Sequence, residues 1–447
     1  MSLAREFATF CHRMKSLPLE VTERARLCVA DHIHAAVLGA RGETCALLKE
    51  YLGSEHVQSA EGLALLLGAA STVFEIDDVH HDTSLHTGST VVEAVLGAAL
   101  DAGADDERLL RAVALGYELA VRLSVAMGER HYHYFHSTAT CGTVGAALAA
   151  AVMYGLNEEQ SGHAVGLAAT MASGLWEGIS KDAIGVKHLH SGFAAERGVR
   201  AAKMAALGMC GANRSLEGSK GFFAAMARAD SLFPRETPPD EEALRSLLLE
   251  GLGTRWAILR NIFKRYPFCL GCFEPLECIR GIMAESGKRA DDVARILVEM
   301  YPPVAALVDN RNPGDSLQAK FSAAFAVALV LSGKDPENAL MPSEWLRDPM
   351  VTRWYPLIDC APDPMLASRT ARVRVTWKDG TFSIGEHPLR NLGPCEVTAR
   401  FEQVCHRYIP SHAECLTMRL KDLGNVTDTR DLAGLVRQAT ELQVAYP

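Results

Sequence analysis

The sequence predicts a mainly α-helical protein with one smaller segment of mixed α+β character. Three observations carry this expectation. From the N-terminus to about residue 232 the chain is rich in Ala, Leu and Gly, with apolar residues three and four positions apart. After Tyr266-Pro267 the pattern changes: Ala294–Tyr301 alternates as a strand does, and Ala371–Ile384 reads as a hairpin, with Val373, Val375 and Trp377 on one face and Asp379-Gly380 at the turn. From about residue 396 the helical spacing returns. The expected organisation is an all-helical domain of residues 1–266 and 396–447, interrupted by an α+β domain over 267–395.

The clearest helices are expected at Val21–Leu38, Val91–Ala102, Glu107–Met127, Cys141–Tyr154, Glu158–Met171 and Phe193–Leu207. Small residues recur at Gly142, Gly145, Ala146, Ala149 and Ala150, which lets helices approach closely. Thr90-Val91-Val92-Glu93 has the form of a capping box opening the second of these helices. Asp230–Asp240, with Pro234, Pro238 and Pro239, marks a connection. Glu274-Pro275 looks like the first turn of a helix through Cys278 to Met283, where Pro is tolerated.

Bulk properties remove several function classes. The 447 residues are 48% hydrophobic and 22% charged, an ordinary balance for a globular protein with a large core. A net charge of −9 argues against nucleic acid as a partner, because phosphate binding needs a basic field. No apolar run reaches the roughly 18–20 residues of a membrane span, Ala323–Leu331 being of core-helix length, so no membrane partner is expected. The start, Met1-Ser2-Leu3-Ala4-Arg5-Glu6, lacks an export pattern. The twelve scattered cysteines then read as free thiols of a cytoplasmic protein.

The chemistry is concentrated at 75–90. Glu75, Asp77, Asp78 and Asp82 fall with His80, His81 and His86 inside twelve positions, between the apolar stretches Leu63–Phe74 and Val91–Leu100. Titratable groups held between buried helices have shifted pKa values and are suited to moving protons. Basic residues also precede expected helix starts at His86, His136 and Lys187. Helix N-termini carry unpaired N–H groups and partial positive charge, so their convergence would make a site for a small polyanion such as a di- or tricarboxylate. Ser137 or Thr138 can cap the helix after His136. A buried Lys187 would have a lowered pKa suited to general-base work, and Lys, His and helix N–H groups can stabilise an enolate without a metal. His80, His81, Asp82 and His86 lack a zinc spacing, and Cys269-x-x-Cys272 followed by Cys278 lacks a second pair, so no metal is expected.

At this point the residues resemble a known family. Glu75-Ile-Asp-Asp-Val-His and His86-Thr-Gly, Phe135-His136-Ser-Thr-Ala-Thr, Lys187-His188-Leu-His190-Ser-Gly-Phe-Ala-Ala, Lys264-Arg-Tyr266-Pro-Phe-Cys269 and Ala319-Lys320-Phe-Ser322 are similar, in this order, to motifs of the MmgE/PrpD family. That family includes 2-methylcitrate dehydratase, cis-aconitate decarboxylase and iminodisuccinate epimerase. The resemblance implies a large all-helical domain holding both termini, a smaller α+β lid, a homodimer, a site between the domains and no cofactor. It implies Lys187, His86, His136, Asp78 and Asp77 as catalytic residues. Thr138, His190, Tyr266 and Lys264 are expected to contact substrate. Three departures from the family pattern stand out. Glu75 replaces an Asp, Val79 replaces a Thr, and Phe273 stands where the decarboxylase has a catalytic histidine. The expected function is a cofactor-independent, dehydratase-type lyase that removes a proton α to a carboxylate of a small di- or tricarboxylate. The alternatives are an epimerase that exchanges one proton between two bases, and a family member that binds a carboxylate without turnover.

Overall fold

A computed structural model describes residues 1–179, 185–227, 240–367, 369–386 and 390–441. The expected connection at 230–240 lies outside the described residues except for Asp240. The fold is mainly α with a smaller α/β region, and it divides into two compact units. The first comprises Met1–Val73, Asp77–Phe263 and Gly393–Pro447; the second comprises Phe74–Ile76 and Lys264–Leu392.

In the first unit the chain forms α1 (Leu3–Arg13), α2 (Leu19–Gly39), α3 (Glu43–Val57), α4 (Ala60–Thr72), the short strand β1 (Val79–His80), α5 (Gly88–Ala102), α6 (Asp106–Tyr134), α7 (Ser137–Met153), α8 (Glu158–Met171) and α9 (Val186–Ala206). After α10 (Phe222–Met226) and α11 (Glu241–Leu249), β2 (Asn261–Ile262) pairs antiparallel with β1. Helix α4 is buried along its whole length, as its apolar surface on every side requires. It crosses α9 where two glycines meet. A Cβ added to Gly68 would lie 2.9 Å from the Gly192 Cα, and one on Gly192 would lie 2.5 Å from the Leu65 carbonyl oxygen. Backbone therefore rests on backbone, and the start of α9 is drawn into the bundle.

Three helix starts differ from expectation. The helix expected from Val91 begins at Gly88, with Thr87 in the cap position. Thr90 is thus inside it: its hydroxyl donates to the Thr87 carbonyl at 2.9 Å, and Glu93 turns to His32, so the expected capping box does not form. The helix expected from Cys141 begins at Ser137, with His136 at its cap. The helix expected from Phe193 begins at Val186, which places Lys187 and His190 within its first two turns rather than before it. In each case the extra turn carries polar side chains that are buried, so the apolar spacing that marks a helix in sequence starts too late.

The second unit is built on a four-stranded sheet. After α12 (Phe273–Glu285) come β3 (Val293–Met300), α13 (Pro302–Val308), α14 (Ser316–Ala319), α15 (Ala323–Leu331), α16 (Pro349–Thr352), β4 (Ile358–Pro362), β5 (Ala371–Trp377) and β6 (Phe382–Gly385). The strand order is β4-β3-β5-β6, with β3 and β4 parallel and the other pairs antiparallel. Ile296, Val298, Val373, Val375 and Trp377 are buried, and the hairpin turns at Gly380, whose φ of 84° suits glycine. The chain then re-enters the first unit through α17 (Pro394–Tyr408), α18 (Pro410–Lys421) and α19 (Arg430–Glu441). No helix among the described residues is long and apolar enough to cross a membrane.

Candidate active site

The starts of α5, α7 and α9 converge within the first unit, and they bring His86, His136 and His190 together. The His86 and His136 rings lie 6.3 Å apart, and His136 Nδ1 is 3.3 Å from His190 Nδ1. All three side chains are buried, as is Lys187, one turn before His190 on α9.

Asp77 orients His86. Its carboxylate accepts from His86 Nδ1 across 2.7 Å, which leaves Nε2 as the nitrogen available to a substrate. The His86 amide donates to the Thr138 hydroxyl at 3.1 Å, and the Ser89 hydroxyl donates to the His86 carbonyl at 2.8 Å. Thr138, expected to contact substrate, therefore ties the backbone of the His86 loop to the first turn of α7.

The His136–His190 contact constrains both tautomers. One Nδ1 must donate and the other accept, so the pair presents one Nε2 donor and one Nε2 acceptor. Burial pulls His136 well below the usual imidazole range, and the nearness of the His190 and His86 rings, which disfavours a further positive charge, adds to it. Burial lowers His190 to about 4, aided by Lys187 and Arg197. Both rings are therefore neutral at pH 7. The Trp176 ring, 5.4 Å from His136, helps to keep water from that face.

Asp78 faces the opposite way. Its Oδ2 accepts from the Tyr117 hydroxyl at 2.5 Å and from the Asn261 side-chain amide, and its Oδ1 accepts from the Gly88 N–H at 3.1 Å. His32 Nε2 lies 3.1 Å from that same Oδ1. Asp78 supports the fold beneath the histidines. The sequence reading missed this layer of His32, Tyr117, Glu93 and Asn261. Its signal was present: Asp31, His32 and His34 interrupt the apolar run Val29–Leu38, and Glu93 interrupts Val91–Leu100.

The remaining acids and histidines of 75–90 do not converge. His81 and Asp82 are partly exposed and Asp82 pairs with Arg260, while the buried His80 ring contacts Thr83. Among the described residues no group of three or more His, Cys, Asp or Glu is arranged around a common point suited to a metal ion. A cavity of about 180 Å³ lies elsewhere in this unit, lined by residues including Lys15, Thr22, Arg26 and Arg111, and none of the residues singled out above borders it.

Lys264 and Tyr266 belong to the second unit. Lys264 pairs with Glu75 at 3.0 Å, both fully buried. Glu75 holds a φ of 55°, a left-handed conformation uncommon outside glycine. The Tyr266 hydroxyl donates to Glu277 at 2.6 Å and accepts from Arg280 at 3.3 Å, and its ring meets Phe273 edge-on at 5.1 Å. Burial first, and then Glu277, push its hydroxyl above the usual phenol range. Phe273 packs on the Tyr266 ring, while Glu277 and Arg280 bind its hydroxyl.

Comparison with known proteins agrees with the motif order. The MmgE/PrpD N-terminal domain matches residues 5–233 and the MmgE/PrpD C-terminal domain matches residues 266–418. The chain is 25% identical to a cis-aconitate decarboxylase of Aspergillus terreus over 97% of this chain and 94% of that one. It is 28% identical to the cis-aconitate decarboxylase of Homo sapiens over 49% of this chain and 50% of that one. It is 24% identical to a cis-aconitate decarboxylase-like protein of Aspergillus oryzae, of which it spans 64%. With both domains matched over most of its length, the chain belongs to the MmgE/PrpD family.

Proposed function

We propose that this protein is a lyase that moves a proton at the carbon α to a carboxylate of a small di- or tricarboxylate, using its own side chains. The observation that carries this reading is the buried row Asp77–His86, His136–His190 and Lys187 at three convergent helix starts. The helix N–H groups hold carboxylate groups. His86 Nε2, with Asp77 behind it, works as the acid or base, because the Asp77 carboxylate stabilises the imidazolium formed when the ring takes a proton. The neutral Nε2–H of the His136–His190 pair donates to the enolate oxygen as charge develops there. Dehydration then removes the α-proton to Lys187 and returns a proton from His86 to the departing hydroxyl.

The similarity to relatives named cis-aconitate decarboxylase supports a tricarboxylate within this class. Phe273 favours dehydration over decarboxylation. A second reading, epimerisation, is favoured by two imidazoles 6.3 Å apart, a spacing at which each could serve one face of a bound carbon. The family resemblance adds a homodimer to this proposal, which light scattering on the purified protein tests.

A panel of di- and tricarboxylates that includes cis-aconitate, followed by proton NMR in D2O, decides among these readings. A new alkene supports dehydration. Deuterium at the α carbon without change of composition supports epimerisation. Loss of one carbon as carbon dioxide supports decarboxylation. Binding by calorimetry without any of these marks a carboxylate-binding protein and overturns the enzyme reading.

A further inference from the structure

We propose that His32 is a positioning residue of the candidate site: it clamps Asp78 and Glu93 together, and through them fixes the start of α5 and the ring of His86. This deepens the proton-transfer reading and rests on it.

His32 lies in the middle of α2 with no exposed surface. Its Nε2 is 3.1 Å from Asp78 Oδ1 and its Nδ1 is 3.3 Å from Glu93 Oε1, and both carboxyls are fully buried. One ring thus spans two acids from different elements: the loop after Ile76 and the second turn of α5. Between those contacts sits the first residue of α5. A Cβ added to Gly88 would fall 2.0 Å from His32 Nε2 and 2.4 Å from the Tyr117 hydroxyl, so the backbone of Gly88 rests directly on the clamp. The Gly88 N–H donates to the Asp78 oxygen that His32 approaches. His86 is two residues upstream, and the adjacent Asp77 holds its Nδ1. A shift of Asp78 therefore moves both the anchor of α5 and the residue next to the partner of His86.

The charge balance supports the same assignment. Burial opposes protonation of His32, but Asp78 and Glu93 outweigh it and raise its pKa well above the usual imidazole range. Burial pushes Asp31 up to about 8, so it adds no full charge at neutral pH. His32 is then the cation placed between the two acids it spans, and burial in turn raises the pKa of Glu93. Loss of one partner from a buried charge set leaves the others uncompensated. A glutamine amide in its place carries no charge, so it cannot offset the acids it would face.

The test compares wild type, His32→Gln and the double variant His32→Gln/Glu93→Gln, which removes one charge of each sign. In protein labelled with 15N-histidine, the His86 Nδ1 signal is assigned by its absence in His86→Gln. The proposal expects that signal to move or broaden in His32→Gln. On whichever carboxylate the wild type turns over, kcat falls by at least about tenfold while KM stays within about threefold, as for a residue that does not touch substrate. A His32→Gln protein that folds with an unchanged His86 signal and unchanged kcat overturns the proposal, and so does a lowered melting temperature with an unmoved signal. If His32→Gln does not fold, the double variant carries the test by the same signal. If the wild type turns over nothing, the proposed function fails, while the His86 signal still decides the role of His32.

Discussion

Asp77 and Asp78 are neighbours in sequence, and the structure gives them opposite duties. Asp77 faces the histidines at the helix starts and orients His86. Asp78 faces the core, where Tyr117, Asn261, the Gly88 N–H and His32 surround its oxygens. The imidazoles on the two sides differ in the same way. His32 sits between carboxylates and is held protonated, whereas His136 sits among other histidines and is held neutral. Burial opposes the charge on both rings and by itself lowers His136; at His32 the two neighbouring acids outweigh it. A buried cluster of acids and histidines is thus divided, under the proposed function, into working and supporting groups by what each side chain meets.

The largest test of this division is on the reacting side. His86→Gln should lower kcat by roughly 10²–10⁴-fold, the usual contribution of a general acid or base, and leave the melting temperature close to wild type. Steady-state kinetics beside a thermal melt would check it. A variant with wild-type kcat would remove His86 from the working side.

On the supporting side, Asp78→Asn should act through stability. It strips a carboxylate from beneath His32 and the Tyr117 hydroxyl, and breaking such a buried set costs about 3–5 kcal/mol. Urea unfolding measures this directly. If Asp78→Asn lost turnover without losing stability, the division between the two acids would be wrong.

The smallest effect is in pH, where the two sides respond at opposite ends. His190 titrates at about 4 in the folded protein against about 6.5 unfolded. The unfolded chain therefore binds more protons between those values, and this contribution to stability is full above pH 6.5 and is lost as pH falls toward 4. The slope is at most about 1.4 kcal/mol per pH unit for one such group. His32 has the reverse sign: its raised pKa contributes stability that is full below its unfolded value and is lost only as pH rises through the folded one. Melting temperatures from pH 4 to 9 should fall at the acid end, and His190→Gln should flatten that fall.

Much was legible in the sequence. The spacing of apolar residues gave the helices, and the hairpin at Ala371–Ile384 and the helix opening at Glu274-Pro275 were read nearly in place. Helix starts were missed where the first turn was polar yet buried, as at Val186 and Ser137, since hydrophobic periodicity does not register a buried lysine or histidine. The dense segment 75–90 and the basic residues at His136 and Lys187 pointed to the residues that meet. His32 went unread because it lies, with Asp31 and His34, inside an otherwise apolar helix, and the spacing assigned Glu93 to a capping box that does not form.

The sequence by itself determined the elements, the family and the residue types available for proton transfer, because these follow from local spacing and from motifs in order. Only the tertiary structure decided which acid serves His86 and which serves the core. It also decided which histidines are neutral and that His32 bridges two acids far from it in sequence. Those properties depend on distance and desolvation between side chains brought together by folding, most of them tens of positions apart, and no local pattern encodes either.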